Sequence, residues 1–123
     1  MLIVEDDLDN RWVMARMLTG AGYIALEAGD GDEALDVAKR EQPAVILMDL
    51  ALPRMDGWEA TRRIRADPQL SDIPVLAITA LTMESDERRA RAAGVDEYLT
   101  KPVRSAKIRA MVRRYVGGGQ RQP

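Results

Sequence analysis

Short apolar runs alternate along the chain with longer segments in which apolar residues recur at helical spacing. Leu2-Ile3-Val4 predicts a first strand, and residues 8–20 predict a helix whose inner face carries Val13, Met14, Met17 and Leu18. Further strands are predicted at residues 23–28, 44–48, 73–78 and 98–99. Further helices are predicted between residues 30 and 42, up to about residue 66 after a loop, at 83–93 and at 103–116.

Local signals mark several helix ends. Asp30 is a predicted N-cap, and Glu33 three residues later predicts a capping box. Pro43 stops that helix, and Gly94 ends the charged helix at 83–93. In the last helix the residues predicted to face inward are Ile108, Met111, Val112 and Tyr115.

Five strands alternating with five helices predict an α/β fold. Right-handed crossovers would make it a doubly wound five-stranded parallel sheet with helices on both faces. The chain has 123 residues, which fits one domain. We assign residues 1–116 to that domain and expect the glycine-rich, polar segment 117–123 to be a flexible C-terminal tail.

Composition excludes several classes of chemistry. The sequence contains neither cysteine nor histidine, which removes disulfides, thiolate chemistry, Ser-His catalysis and histidine metal sites. The formal net charge is only −2, which gives no reason to expect direct binding of nucleic acid or of an anionic membrane. No apolar run approaches the ~20 residues of a membrane helix, and a signal peptide is not evident, so we expect a cytoplasmic protein.

Polar residues follow the predicted strands at the places where those strands end. Ligands of open parallel sheets bind beyond these carboxyl ends, at the switch point in strand order. The residues expected there are Glu5, Asp6 and Asp7 after the first strand, Asp49 after the third, Thr79 after the fourth, and Thr100 and Lys101 after the fifth.

This set of side chains predicts phosphoryl chemistry. Clustered carboxylates repel unless a cation lies between them, and oxygen ligands suit Mg²⁺. Asp49 follows a fully apolar strand and is the expected nucleophile, since carboxylates form acyl-phosphates. Thr79 and Lys101 would neutralise the oxygens of the transferred group. Each residue alone is more often a cap or a loop residue, so the hypothesis depends on their joint placement.

The same residues carry a family resemblance. The segments LIVEDD (2–7), MDLALPRMDG (48–57), ITA (78–80) and YLTKP (98–102) resemble the receiver domains of two-component response regulators, in order and at the family's spacing. The resemblance spans about residues 1–116. It implies a flavodoxin-like strand order 2-1-3-4-5.

The resemblance also implies roles for individual residues. Asp49 is implied to be the phosphoacceptor, assisted by Thr79 and Lys101. Asp6 is implied to bind Mg²⁺ directly, with Glu5 acting mainly through a water molecule. The set of implied metal ligands is Glu5, Asp6, Asp49 and the backbone carbonyl of Ala51.

Two further features are implied by the resemblance alone. Thr79 and Tyr98 are the implied switch pair, in which Tyr98 turns inward as Thr79 moves toward a phosphorylated Asp49. The surface of the fourth helix, the fifth strand and the last helix would then change as a population shift. The peptide bond between Lys101 and Pro102 is implied to be cis.

The implied function is a phosphoacceptor switch, a signalling protein rather than a turnover enzyme. Because the chain has no histidine, the donor is expected to be another molecule: a sensor histidine kinase, a histidine phosphotransfer protein or a small phosphodonor. The downstream protein target stays open, as does the choice between a stand-alone regulator and a receiver belonging to a larger regulator or hybrid kinase.

Candidate partner surfaces are less specific. Asn10, Arg11 and Trp12 on the first helix lie near the site and are expected to be exposed, and they either dock a kinase or are incidental. The basic set on the last helix is interpreted mainly as a solvated face, with an acidic target as the alternative; it comprises Arg104, Lys107, Arg109, Arg113 and Arg114.

Two alternatives compete with the switch. A phosphatase of the haloacid dehalogenase type needs a second aspartate two residues after the nucleophile, where this chain has Ala51. A phosphorylation-independent, receiver-like binding module usually lacks a site residue, whereas all are present here. Ala51 and Leu81, two residues after Asp49 and Thr79, cannot orient an attacking water, so we expect a fairly long-lived acyl-phosphate.

Overall fold

The structure is a computed structural model that describes residues 1–53 and 55–116. Five strands and five helices alternate through this part of the chain. The strands are β1 (Leu2–Val4), β2 (Leu26–Ala28), β3 (Ile46–Met48), β4 (Val75–Thr79) and β5 (Glu97–Thr100). The helices are α1 (Leu8–Gly20), α2 (Gly31–Glu41), α3 (Gly57–Ala66), α4 (Glu84–Ala93) and α5 (Ser105–Val116). The tail predicted at 117–123 lies outside the described residues.

The strands form one parallel sheet in the order β2-β1-β3-β4-β5, which confirms the predicted fold class and strand order. The chain moves outward from β1 to β2 and then crosses back past β1 to β3. The carboxyl ends of β1 and β3 therefore lie side by side at the point where the strand order reverses, with Val4 paired to Met48 in register.

Alternate residues of each strand point to opposite faces of the sheet, and each face has its own apolar core. On one face, Val4, Met48 and Ala77 pack with side chains from α2, α3 and α4. On the other face, Ile3 and Leu47 pack with side chains from α1 and α5. The central strands β1, β3 and β4 are buried along their whole length, as their continuous apolar runs predict.

Several predicted strand starts were wrong. The second strand was predicted from residue 23 but begins at Leu26, because the Tyr23 N–H donates to the Leu18 carbonyl and completes the turn that ends α1. The fourth strand was predicted from residue 73 but begins at Val75. There the Ile73 N–H turns back to Leu70, and Pro74 has no N–H to offer a neighbouring strand.

Two predictions about side chains were also wrong. Val13 was assigned to the inner face of α1, yet it is 57% exposed, and Leu18 is the buried residue of that helix. Asp30 caps α2 by accepting the Glu33 N–H, but the Glu33 carboxylate accepts the N–H of Gly29 rather than that of Asp30.

Among the described helices, none is long and apolar enough to cross a bilayer.

Candidate functional site

Asp49 occupies the centre of the edge formed by the strand ends. Its N–H donates to the Val4 carbonyl at 2.9 Å, which extends the β1–β3 pairing by one residue and fixes the backbone at the crossover point. Its side chain is 8% exposed, and its Oδ1 accepts the N–H of Ala51 at 3.1 Å. The carboxylate is thus buried at its base and opens only toward the edge of the sheet.

Lys101 reaches into this edge from the end of β5. Its Nζ lies 2.5 Å from Glu5 Oε1 and 3.1 Å from Asp49 Oδ2, so one ammonium joins residues 96 and 52 positions away in sequence. The Lys101 N–H donates to the Thr79 carbonyl at 2.8 Å, which anchors the lysine to β4. The peptide bond between Lys101 and Pro102 is cis.

Glu5, Asp6 and Asp49 form a carboxylate cluster, with one oxygen from each side chain within 4.8 Å of the other two. Glu5 is 3% exposed and Asp49 8%, whereas Asp6 is exposed at the mouth. Burial raises the pKa of the Glu5 carboxyl and the nearby Asp49 carboxylate adds to the rise, against the hydrogen bonds from Lys101 and the Asp7 N–H. Three carboxylates thus meet one ammonium among the described contacts, and burial disfavours leaving them charged without a further cation.

Lys101 shares these neighbours, and its pKa is raised as well. Burial alone would lower its pKa, but hydrogen bonds to Glu5 and Asp49 outweigh burial, and the pKa lies above its ordinary value. Lys101 gains two carboxylates, whereas Glu5 gains one cation and one like charge while losing almost all of its solvent. One lysine thus does not neutralise the site, and the donor set fits a small divalent cation such as Mg²⁺.

Thr79 lies on β4, one strand from Asp49, and Tyr98 lies on β5, two strands away. Thr79 is fully buried at the end of β4, and its Oγ1 accepts the Leu81 N–H at 3.4 Å. The Tyr98 hydroxyl donates to the Leu81 carbonyl at 2.6 Å, and its ring packs partly buried against the core. Both side chains therefore contact the segment that leads into α4.

Other residues singled out in the sequence lie at the rim. Asp7 caps α1 by accepting the Asn10 N–H at 3.0 Å, and Thr100 is exposed. Arg11 was expected to be exposed, but its side chain is only 18% exposed. Its guanidinium donates to the Glu5 carbonyl at 3.1 Å and to Glu27 at 3.0 Å, so Arg11 supports the loop that carries the carboxylates.

Sequence reasoning missed the role of Gly57. A Cβ on this residue would lie 2.5 Å from the Asp49 carbonyl oxygen and 2.6 Å from Leu50 Cα, so only glycine lets the start of α3 approach the Asp49 backbone so closely. The signal was present in the Asp56-Gly57 pair ahead of a helical pattern, since Asp56 caps α3 by accepting the Glu59 N–H.

Together, a buried carboxylate beside an ammonium, a buried hydroxyl and a group of carboxylates that could hold a cation are suited to phosphoryl transfer, which depends mainly on positioning and charge. The sequence matches the family described as "Response regulator receiver domain" over residues 1–113. The chain belongs to the response regulator receiver domain family.

Relatives and solved structures agree with this assignment. The receiver domain is 36% identical over 117 residues to the polar-differentiation response regulator DivK of Brucella anthropi, covering 95% of each chain. It also resembles the receiver domain of a sensor histidine kinase from Pseudomonas aeruginosa PAO1 (37% identity, TM-score 0.88, 95% and 96% of the two chains), a structure with magnesium coordinated in its active-site cleft. A receiver domain of a histidine kinase from Syntrophus aciditrophicus superimposes with a TM-score of 0.90 at 30% identity, over 99% and 92% of the two chains.

The receiver domain is thus part of two-component signalling, and members of this family are signalling proteins rather than turnover enzymes.

Proposed function

We propose that this receiver domain is a phosphoacceptor switch that takes a phosphoryl group onto Asp49 with the help of Mg²⁺ and then presents a changed surface to a partner. The observation that carries the proposal is the bridge from Lys101 Nζ to both Asp49 and Glu5, because it puts the compensating cation beside the one carboxylate fixed at the strand crossover.

Glu5, Asp6 and Asp49 would hold the metal ion, together with the Ala51 carbonyl that the family resemblance implies. When bound, Mg²⁺ supplies positive charge to oxygens of the transferring group. The fit rests on the chain's own charges, because three carboxylates share one lysine. Burial, the main cause of the raised pKa of Glu5, adds to the cost of leaving this cluster without a further cation.

The side chains of the protein carry out the phosphoryl transfer itself. An oxygen of Asp49 attacks the phosphorus, the bond from phosphorus to the donor nitrogen breaks, and the donor imidazole leaves with that electron pair. The Lys101 ammonium pairs with a phosphoryl oxygen as negative charge accumulates there. The Thr79 hydroxyl, freed from the weak contact with the Leu81 N–H, donates to another phosphoryl oxygen.

Tyr98 would transmit that change. Its hydroxyl donates to the carbonyl of Leu81, two residues after Thr79. A movement of Thr79 toward Asp49 would therefore change the positions of Tyr98 and of the segment before α4. This agrees with the role that the family resemblance implies for Tyr98 and favours a population shift of the surface built from α4, β5 and α5.

The donor is proposed to be a sensor histidine kinase or a histidine phosphotransfer protein, since the chain contains no histidine. A docking site for it is available beside Asp49. Leu8, Trp12 and Val13 are 69%, 59% and 57% exposed on α1, and Val13 lines a groove of about 460 Å³ that reaches Lys101 and Pro102. An exposed apolar patch of this kind next to a reactive site favours a protein partner.

We further propose that the protein acts in the cytoplasm, is not itself a turnover enzyme, and binds neither nucleic acid nor membrane directly. The alternative of a phosphorylation-independent binding module is less well supported because Asp49, Lys101 and the acidic pair are all present and in contact range. A phosphatase of the haloacid dehalogenase type would need an acid at residue 51, which is alanine.

The proposal is tested by incubating the purified protein with phosphoramidate and Mg²⁺ and measuring its intact mass. The expected result is a gain of one phosphoryl group, which is lost in Asp49→Asn and retained in Asp36→Asn, a variant of an exposed aspartate on α2. A wild-type protein that gains no mass, or an Asp49→Asn variant that still does, would refute the assignment.

A further inference from the structure

The helix α4 buries little apolar surface against the rest of the domain. Its buried residues are two alanines, Ala90 and Ala93, and Met83 just before it is 67% exposed. A helix anchored by so small a surface depends on specific contacts for its position.

Trp58, on the neighbouring helix α3, supplies two of those contacts. Its indole N–H donates to the Asp86 carbonyl at 3.4 Å, in the first turn of α4. The guanidinium of Arg89, one turn further along α4, lies 4.0 Å from the centre of the Trp58 ring, a cation–π contact. The indole itself is 8% exposed, so it is a fixed platform rather than a mobile surface group.

The other side of Trp58 leads directly to the phosphoacceptor. Trp58 follows Gly57, whose N–H donates to the Leu50 carbonyl at 2.9 Å and whose missing side chain leaves room for the Asp49 backbone. The start of α3 thus packs against the backbone of Asp49 and Leu50, and Trp58 contacts α4. This connection does not pass through Thr79 or Tyr98.

We infer that Trp58 is a positioning residue through which the start of α3, built against Asp49, holds the first turns of α4, so that the state of Asp49 reaches α4 by a second route beside Thr79 and Tyr98. The inference rests on the proposed phosphorylation of Asp49. Trp58 and Arg89 act on the position of α4 and take no part in the transfer itself.

The first part of the test measures the contact between Trp58 and α4 in the unphosphorylated protein. In a Trp12→Phe background Trp58 is the remaining tryptophan, so its emission reports this contact alone. Arg89→Gln should shift that emission and speed hydrogen exchange of the α4 amides by about two- to five-fold, the effect of losing a partly exposed cation–π contact. Arg88→Gln is the matched control, because Arg88 pairs only with exposed Glu84 among the contacts described for it.

The second arm measures the coupling, with phosphoramidate and Mg²⁺ as the probe so that no docking protein is needed. Phosphorylation should change the emission of Trp58. In Tyr98→Phe, which lacks the hydroxyl bonded to Leu81, phosphorylation should still change exchange in α4, and adding Arg89→Gln should reduce that change by about half or more. Adding Arg88→Gln should leave it as it was.

The possible results distinguish a failure of the proposed phosphorylation from a failure of the coupling through Trp58. A wild-type protein that takes no phosphoryl group overturns the proposed function, and the coupling falls with it. A protein that is phosphorylated, but whose Trp58 emission does not respond or whose α4 exchange is equally unaffected by Arg89→Gln and Arg88→Gln, keeps its proposed function and overturns this inference. Because Arg89 is exposed, its replacement does not threaten folding.

Discussion

Lys101 shows how one side chain connects the separate parts of the site. Its ammonium is drawn between Glu5 and Asp49, and its hydrogen bonds to these two carboxylates outweigh the effect of burial and raise its pKa above the ordinary value. An incoming phosphoryl group would compete with Glu5 for this ammonium. The lysine thus stays close to Asp49 while it shares its ammonium between two carboxylates.

Replacing Lys101 by methionine removes this charge while keeping a chain of similar length. We predict that phosphoryl uptake from phosphoramidate slows by about 10²–10³-fold, the usual cost of losing one charge-stabilising group in a transition state. Time courses of intact mass give the rate. Lys107→Met, an exposed lysine on α5, should leave uptake within about two-fold of wild type. Equal rates in Lys101→Met and wild type would contradict this role.

At the scale of single residues, the sequence predicted which residue types stand at the strand ends but not how their neighbours support them. Asp49 and Thr79 were predicted at strand ends because each directly follows an apolar run, and Lys101 because it follows the short fifth strand after Thr100. The contacts of Arg11 with Glu5 and of Trp58 with Asp86 were not found, because side-chain reach across elements leaves no periodic signal in a single chain.

The elements are joined at the opposite edge of the sheet by an ion pair that the sequence did not predict. Arg65 at the end of α3 pairs with Asp96 at 2.8 Å, and their side chains are 15% and 11% exposed. Arg65 also donates to the carbonyls of Gly94 and Ile73, while Asp96 accepts the Val75 N–H. This network fixes the starts of β4 and β5, whose far ends carry Thr79 and Lys101.

Arg65→Met should destabilise the fold by about 2–4 kcal/mol, because it removes a cation that pairs with the largely buried Asp96 carboxylate. Urea unfolding followed by circular dichroism measures the loss. Arg62→Met is the matched control on the same helix, since its exposed pair with Glu59 is worth less than about 1 kcal/mol. Similar midpoints for the two variants would show that the network does not support the fold as described.

The packing of α5 on β5 has a pH dependence of its own. The Tyr115 hydroxyl donates to the Glu97 carboxylate at 2.6 Å, and burial, followed by this bond, raises the pKa of Tyr115 to about 12. A raised pKa means that the folded state favours the protonated phenol. The contribution to stability is therefore fully present below pH 10, the ordinary value, and is lost as the pH rises through about 12.

Ultraviolet titration of the phenolates should therefore show a step near pH 12 that is missing in Tyr115→Phe. That variant should also lose about 1 kcal/mol of stability at neutral pH, as expected for a partly exposed hydrogen bond to a charged group. Tyr23→Phe serves as the control, since the described contacts give the Tyr23 hydroxyl no carboxylate partner. A step near pH 12 that survives in Tyr115→Phe would contradict the assignment.

Element types were predictable and some boundaries were not, for a physical reason. Apolar periodicity fixes which segments are strands or helices, whereas the end of an element depends on where each backbone N–H finds its acceptor. Tyr23 and Ile73 look like strand residues but give their N–H groups to turns. Val13 fits a helical face by spacing, yet it is exposed, and Leu18 is the buried residue of α1.

The topology of the whole molecule brings three acidic residues to one edge of the sheet. Parallel strands point the same way, and the reversal of strand order between β1 and β3 opens the crevice in which Glu5, Asp6 and Asp49 meet. Folding must therefore bring like charges together, and the native state is expected to be less stable without a cation than with one.

We predict that Mg²⁺ raises the thermal midpoint of the protein and that removal of Mg²⁺ with EDTA lowers it. At a concentration about 100 times the dissociation constant, the gain is about 2.7 kcal/mol. Differential scanning calorimetry over a magnesium series measures it. Asp6→Asn should flatten the response, whereas Asp9→Asn, an exposed aspartate in the first turn of α1, should retain it. A midpoint independent of Mg²⁺ would argue against a metal site in the cluster.

The central claim is that Asp49 accepts a phosphoryl group in a site completed by magnesium. It is tested most directly by phosphorylating the protein with phosphoramidate, with Mg²⁺ or with EDTA, trapping the acyl-phosphate by reduction and mapping the modified residue by peptide mass spectrometry. The account predicts modification at Asp49, dependent on Mg²⁺. Modification at Glu5, Asp6 or another carboxylate, or equal modification of Asp49 in EDTA, would contradict it.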